Sequence, residues 1–412
     1  MVRKLLSNIA RYMIEHPSSI REIMELVAEY EKHPEKFPRP LIYLAGGWPQ
    51  DPPPEILREI FRNIIDDDEL WKKAARYSPT TGFPDLRELI PVYEKEVFGR
   101  HGVSPDMIIV GLGSTEQTAA VFRLLLNAND EIILTTPGYL NYKRQIELEM
   151  DLKAKIKYWE IIDDTEFNPS LEKLKNLISS RTKAVLLTSP GNPDGQVWDD
   201  DILRGIHDLA MDHGFYVLLD VAYRAFIFGP MPRAFTRAPL EREIWICSFS
   251  KELRAPGWRI SYLILPEELT RPLNTIEQAR VLAPVSPIQL TLIKAFSNRG
   301  VLMKIKDFYE AGKRKYEELA KKTVHTLKQI EKIRALEPKG GFYVFFNIEE
   351  ISRDDKKVWR ELIDKKQLAL APGSDFNGAR GWLRLSFAPV VENPEKLYEG
   401  LKRLQEYFEE IS

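Results

Sequence analysis

Between residues 107 and 265 the chain alternates short apolar runs with amphipathic stretches of helical length, and this rhythm constrains the fold more than any other feature. The runs at 107–110, 131–135, 154–158, 184–188, 215–220, 243–248 and 259–265 have strand length. Helical patterns at 115–126 and 199–213 fall between them. The spacing therefore predicts βαβ units and an α/β fold, with a mostly parallel sheet covered by helices on both faces. From Arg299 the pattern changes: a long charged helix over 301–333, a run at 342–348, a helix over 356–363, a run at 382–387 and a final helix from Pro394 predict a smaller α+β domain. Near the start, Ser19 and Glu22 form a capping-box pair, with Ile20, Ile23, Met24 and Val27 at helical spacing, so a helix is expected to reach Tyr30. Prolines break residues 33–40, and Gly46-Gly47-Trp48-Pro49 followed by Pro52-Pro53-Pro54 forms a rigid connector.

The 412 residues, 44% hydrophobic and 29% charged, suit a folded chain with more than one core. Lys and Arg total 59 against 61 Asp and Glu, which gives no global attraction for nucleic acid or anionic lipid, so neither is expected as a partner. The most apolar stretch, 215–228, is interrupted by Asp220 and Arg224 and is too short to cross a bilayer. Arg3, Lys4 and Arg11 without a nearby acid faintly suggest a transit peptide, but an ordinary N-terminal segment is the simpler expectation. A single cysteine, Cys247, allows no intramolecular disulfide and points to a reducing compartment, read as cytoplasmic. The six histidines include no i, i+4 pair, so no transition-metal site is expected.

In an open parallel sheet ligands bind beyond the carboxyl ends of the strands, so the residues just after each apolar run are the candidates for chemistry. After 107–110 comes Gly111-Leu112-Gly113-Ser114-Thr115, which opens a helix. Backbone amides at such a turn hold a phosphate, and the same turn serves equally as a plain connection with Ser114 or Thr115 as its cap. A dinucleotide is disfavoured, because Glu116 follows instead of a third glycine and the next strand ends in Thr135-Thr136 without an acid. After 184–188, Ser189-Pro190-Gly191-Asn192-Pro193-Asp194-Gly195 turns sharply and presents the Asn192 amide. The run 215–220 delivers Asp220, with Tyr223 beyond it. The run 243–248 delivers Ser248-Phe249-Ser250-Lys251, followed by Gly257-Trp258-Arg259. Singly these are a loop, a helix cap and a surface lysine. Together, an amide, an acid, a lysine and an arginine beside a phosphate-type turn describe a pyridoxal phosphate pocket.

Asn192-Pro193-x-Gly195, Asp220-x-x-Tyr223, Ser248-x-Ser250-Lys251 and Gly257-x-Arg259, with Arg384 in Trp382-Leu383-Arg384, make the chain resemble the fold type I pyridoxal-phosphate enzymes over nearly its full length. Within these it resembles the class I and II aminotransferases. The resemblance implies that Lys251 holds the cofactor as a Schiff base and then carries the proton at the substrate Cα. It implies that Asp220 keeps the pyridine nitrogen protonated, an ion pair worth about 4 kcal/mol near 4 Å at an effective dielectric of about 20. Asn192 and Tyr223 would bond the phenolic oxygen, and Tyr139 would stack on the ring. Gly113, Ser114, Thr115, Ser248, Ser250 and Arg259 complete the implied cofactor and phosphate set. Tyr77, in Tyr77-x-x-x-x-Gly82, would reach the phosphate of a neighbouring subunit, which implies a homodimer.

Arg384 would clamp the substrate α-carboxylate, although a structural salt bridge accounts for that residue alone equally well. Gly47 and Trp48 would line the substrate side. The segment from Ser18 to Glu22 leading to Gly46-Gly47-Trp48 is similar to the 2-aminoadipate and kynurenine aminotransferase branch, which makes Arg21 a candidate reader of a side-chain carboxylate; a helix-surface arginine is the plainer reading. The implied organisation is a helix and connector over 1–50 that joins the small domain and covers the substrate, a large cofactor-binding domain over 51–299, and a small domain over 300–412. Two positions depart from the family pattern: Asp194 replaces a common threonine, and Ser261 a common glycine.

The implied activity is ping-pong transfer of an amino group between an amino acid and a 2-oxo acid. The same pocket admits C–S β-elimination as an alternative, because the protein chooses which bond at Cα is broken. A non-enzymatic regulator carrying this domain behind a DNA-binding head is less expected, with roughly 40 residues before Gly46. Ser248-x-x-Lys251 also matches a serine acyl-transferase signature, but no Ser-Asp-Asn element accompanies it.

Overall fold

The computed structural model describes residues 5–17, 19–163 and 165–411; the side chains of residues 19–21, and with them the Ser19 capping-box pair, lie outside the described set. Each of the seven apolar runs forms a strand: β1 (Ile108–Gly111), β2 (Glu131–Thr136), β3 (Lys155–Glu160), β4 (Thr182–Thr188), β5 (Tyr216–Asp220), β6 (Glu243–Ser248) and β7 (Ser261–Ile264). They make one sheet in the order β1-β7-β6-β5-β4-β2-β3, parallel from β6 to β3, with β7 antiparallel to both its neighbours. Alternate residues of a strand enter different cores. Leu187, Leu219 and Cys247 pack into one, while Leu186, Leu218 and Ile246 pack into the other. This two-sided burial is why the central runs read as continuous, whereas the edge strand β3 alternates, with Lys155 exposed and Trp159 buried.

Register decides where the strands release their polar residues. Thr188 at the end of β4 faces Asp220 at the end of β5, and Ser248 at the end of β6 faces Ser261 at the start of β7. Polar residues therefore gather along one edge of the sheet. The helices Ser114–Leu125 and Asp200–His213 form as expected.

A second sheet is antiparallel: β8 (Arg334–Ala335), β9 (Tyr343–Asn347), β10 (Ala371–Pro372) and β11 (Trp382–Ser386), in the order β8-β9-β11-β10. Ile42–Tyr43 pairs in parallel with Leu368–Ala369, which fastens the N-terminal segment beside it. The long charged helix is Arg299–Leu327, shorter than its pattern suggests, because the chain turns after Lys328 and Lys332 takes a left-handed backbone. Further helices at Pro84–Phe98, Glu267–Arg280 and Ser286–Phe296 carry weak sequence signals. The first two contain internal prolines, Pro91 and Pro272, and the third is buried around most of its circumference, so it shows no apolar stripe.

A buried ionic network stands behind the edge of the sheet. Arg224, just past β5, donates from Nη1 and Nη2 to Glu94 at 3.0 and 2.7 Å, and from Nε to Glu252 at 2.7 Å. Tyr93 donates to the other Glu252 oxygen at 2.7 Å, and Tyr262 bonds Arg224 and Glu94. Glu94, Arg224 and Glu252 have side chains at most 1% exposed. Removing the shared cation would leave two carboxylates desolvated without it. We expect Arg224→Met to destabilise the fold by about 3–5 kcal/mol in denaturant unfolding, more than a surface pair such as Lys72–Glu69, at about 0–1 kcal/mol.

Candidate active site

The strand ends converge on a cavity of about 240 Å³, closed on its far side by residues of the small sheet and of segment 43–48. Lys251 enters it from the one-turn helix Phe249–Glu252, which begins where β6 stops; Ser248 caps that turn, its Oγ accepting the Ser250 N–H at 3.3 Å. The Lys251 amine donates to the Gly47 carbonyl at 2.7 Å. Burial pushes its pKa down to about 8, and the Arg259 and Arg384 cations add to that depression against the opposing Asp220 charge.

Asp220 is a buried carboxyl at the end of β5. Its Oδ2 accepts the Tyr142 hydroxyl at 2.5 Å and its Oδ1 accepts the Ala222 N–H at 2.9 Å. Burial pushes its pKa up, while these donors and Lys251 pull the other way. Asn192 donates to the Tyr223 hydroxyl at 3.3 Å and accepts from Arg384 Nη1 at 2.8 Å. Arg384 Nη2 donates to the Ala45 carbonyl at 2.5 Å, its Nε has no hydrogen-bond partner, and its guanidinium lies over the Tyr343 ring. This cavity-lining cation is thus bonded to an amide oxygen and a backbone carbonyl and to no carboxylate among the described residues, which fits a ligand that brings one.

At the opposite end, Ser114 and Thr115 start the helix Ser114–Leu125 and line the cavity, with Arg259 beside them. Gly113 sits just behind, with φ +88°, and a Cβ there would collide with Arg259 Nη2. Only glycine permits both that backbone and that close approach. A helix start, a neighbouring guanidinium and a hydroxyl pair form an anion cradle. Ser261 adds no group to it, because its buried hydroxyl donates to Gln117 at 2.5 Å.

The cavity therefore brings together Lys251, Asp220, Asn192, Tyr223, Tyr139, Ser114, Thr115, Ser248, Ser250, Arg259, Arg384, Gly47 and Trp48. Tyr77 is not among them. It stands 81% exposed on the surface of its own chain. The side chain of Arg21 lies outside the described residues. Sequence reasoning missed Tyr142, Thr188 and Tyr343. Thr188 passes the strand-end filter and Tyr142 lies three residues after Tyr139 on the same helix start, whereas Tyr343, whose hydroxyl is 3.0 Å from that of Tyr223, has no local signal beyond the glycine pair before it.

The family model for aminotransferase class I and II matches residues 43–404. The chain belongs to the class I and II aminotransferases. An aspartate aminotransferase from Thermotoga maritima is 30% identical over 402 residues, covering 97% of this chain and 99% of the relative, and one from Pyrococcus horikoshii is 28% identical over 405 residues, covering 97% and 96%. An aromatic-amino-acid aminotransferase from Thermococcus litoralis is 26% identical, covering 97% and 98%. Among solved structures, the Thermotoga maritima aspartate aminotransferase superimposes with a TM-score of 0.83 at 29% identity, covering 98% of this chain and all of that one.

The aminotransferase uses pyridoxal phosphate, and its cavity suits that molecule: an anion cradle at one end, a buried carboxyl and an amine of lowered pKa between, and an arginine bonded to no carboxylate at the other. Among the described residues no cluster of three or more metal-ligating side chains occurs, and no helix is long and apolar enough to cross a membrane. The lowered amine pKa gives a direct expectation. An amine attacks only when unprotonated, so acylation of Lys251 in cofactor-free protein, followed by peptide mass spectrometry, should accelerate with pH and level off above about 8. Arg259→Gln should move that midpoint upward, since it removes a charge that disfavours the ammonium.

Proposed function

We propose that the cavity is the transamination site and that Lys251 is its catalytic residue, a reading carried by the part-buried, pKa-lowered Lys251 amine facing the Asp220 carboxyl between two arginine ends. The enzyme moves an amino group between an amino acid and a 2-oxo acid. Bound pyridoxal phosphate supplies a conjugated electron sink next to the substrate Cα. Lys251 would hold it through Nζ, and, once that nitrogen is free, take and return the proton at Cα. The Gly47 carbonyl gives the free amine a place to rest.

Asp220 would face the ring nitrogen as an anion, because Tyr142 and the Ala222 N–H already favour its charged form and a buried cation would offset the desolvation. Asn192 and Tyr223 would bind the phenolic oxygen, and Tyr139 would cover the ring. Ser114, Thr115, Ser248, Ser250 and Arg259, with Gly113 behind them, would hold the phosphate. Arg384 would take the α-carboxylate of donor and acceptor alike. The exposure of Tyr77, on a stretch that also exposes Trp71, supports a homodimer in which Tyr77 reaches the phosphate of the other subunit. The pairing of Ile42–Tyr43 with Leu368–Ala369 supports the division at residues 50 and 299, with the first 50 residues moving with the small domain. The buried, lone Cys247 supports a cytoplasmic setting.

The substrate end supports a finer reading. Ile23, buried to 2%, lines it together with Tyr43 and Trp48, and the cations lining the cavity among the described residues are Lys251, Arg259 and Arg384, all with roles already given. A second carboxylate would meet apolar walls, so large apolar or aromatic donors are proposed over dicarboxylic ones. The same relatives act, by name, on aspartate or on aromatic amino acids.

Borohydride reduction of loaded protein should place the pyridoxyl tag on the peptide containing Lys251; a tag on another peptide overturns the assignment. Lys251→Ala should lower kcat by about 10⁴-fold or more while cofactor still binds through the phosphate cradle. In single-turnover reactions, aromatic donors should consume the cofactor absorption faster than aspartate or glutamate. The reverse order, lost again in Arg21→Ala, would restore Arg21 as the reader of a distal carboxylate.

A further inference from the structure

Arg254, three residues past Lys251, lies outside the cavity and belongs to none of the motifs above. Its side chain is fully buried. Its backbone has φ +50°, in the left-handed region that residues with a side chain adopt at a cost. The guanidinium makes an Nε contact of 3.2 Å with Asp51 Oδ2 and donates from Nη1 to the Glu252 carbonyl at 2.7 Å. It is packed against the rings of Phe226 and Phe308 at 4.5 and 4.4 Å. Its Nη2 lies against Gly312 in the long helix Arg299–Leu327, where a Cβ would collide with it. Glycine weakens a helix interior. Two locally unfavourable choices, an arginine at a left-handed position and a glycine in mid-helix, thus meet at one contact, and such conflicts mark places kept for another reason.

That reason lies in what Asp51 holds. Its Oδ1 accepts the Tyr316 hydroxyl of the same long helix at 2.8 Å, so both its oxygens are engaged. Asp51 also ends the segment 45–51. The Ala45 carbonyl accepts from Arg384 at 2.5 Å and the Gly47 carbonyl accepts from Lys251 at 2.7 Å, while Pro49 and Pro52 stiffen the backbone on the way to and past Asp51. We propose that Arg254 is a positioning residue: acting through Asp51, it fixes segment 45–51, and with it the two carbonyls against which Arg384 and Lys251 are set. The same anchor docks the long helix against the lysine-bearing turn. The proposal rests on the roles given above to Lys251 and Arg384.

Arg384 serves donor and acceptor alike, so loosening the segment weakens both substrates. Arg254→Met, which keeps the stem and removes the fork, should raise KM for amino donor and 2-oxo acid by about tenfold each and change kcat by less than about threefold. In the cofactor-loaded full chain, hydrogen exchange should quicken in peptides spanning 44–53 and stay unchanged in those spanning β5. Asp51→Asn should act in the same direction, and the double variant should cost no more than Arg254→Met alone, as one shared interaction requires. Tyr316→Phe should give a smaller effect of the same kind. If Arg254→Met does not fold, Asp51→Asn and Tyr316→Phe read the same link with the guanidinium still packed. KM values within about twofold of the parent, additive effects, or exchange that quickens evenly over the chain would overturn the proposal. Exchange over 44–53 reports the Arg254–Asp51 link whatever Lys251 does, whereas a pyridoxyl tag on another lysine defeats the site assignment instead.

Discussion

The site depends first on strand register. Because β4, β5 and β6 run parallel and pair so that Thr188 meets Asp220 and Asp220 meets Ile246, their carboxyl ends release Asn192, Asp220 and Lys251 into one space. A slip of one residue would send Asp220 to the opposite face and turn the apolar partners of both cores outward. Register is therefore enforced by the burial of Leu186, Leu218 and Ile246 on one side and Leu187, Leu219 and Cys247 on the other, not by the polar residues that use it. Stability and chemistry are written on the same strands at different positions.

Burial then sets the electrostatics. The same low-polarity surroundings that push Lys251 down to about 8, toward the neutral amine that can take a proton, also push Asp220 up, and there the Tyr142 hydroxyl, the Ala222 N–H and the Lys251 charge work against burial to favour the anion. Charges that must stay charged are treated otherwise. Arg224 is matched by two carboxylates directly behind the Lys251 turn, and Glu94 stays below the ordinary range because Arg224 and Arg100 outweigh its desolvation. Glu94, Arg224 and Glu252 make a paired floor behind the site, while Lys251 and Arg384 line the cavity with no carboxylate among the described residues bonded to either.

Much of this was legible in the chain because the strand ends carry both the apolar signal and the candidate residue within a few positions. Lys251, Asp220 and Asn192 each follow an apolar run directly. Tyr343 and Arg254 do not: Tyr343 reaches the site only because β9 pairs with β11, and Arg254 acts only because a loop some two hundred residues earlier folds back on it. The helix Ser286–Phe296 was hidden for a related reason, since a segment buried on most sides has no stripe to read. Arg21 is the converse case, a residue suggested by local resemblance whose side chain is not described, so the apolar wall of Ile23, Tyr43 and Trp48 carries the specificity reading instead.

The two departures from the family pattern have different physical consequences. Ser261 is neutral, because a buried hydroxyl that donates to Gln117 leaves nothing unsatisfied. Asp194 is not. It is buried against Gly191, accepts the Gln196 N–H at 2.8 Å and has no cation beside it among the groups that shift it, so burial pushes its carboxyl up to about 7. A carboxyl whose folded pKa lies above its unfolded value contributes fully only below the ordinary carboxylate range, and that contribution is lost as pH rises toward 7. A threonine at this position could cap the same turn without a proton to lose. The loop that presents Asn192 therefore carries a buried titratable group that a threonine there would not supply.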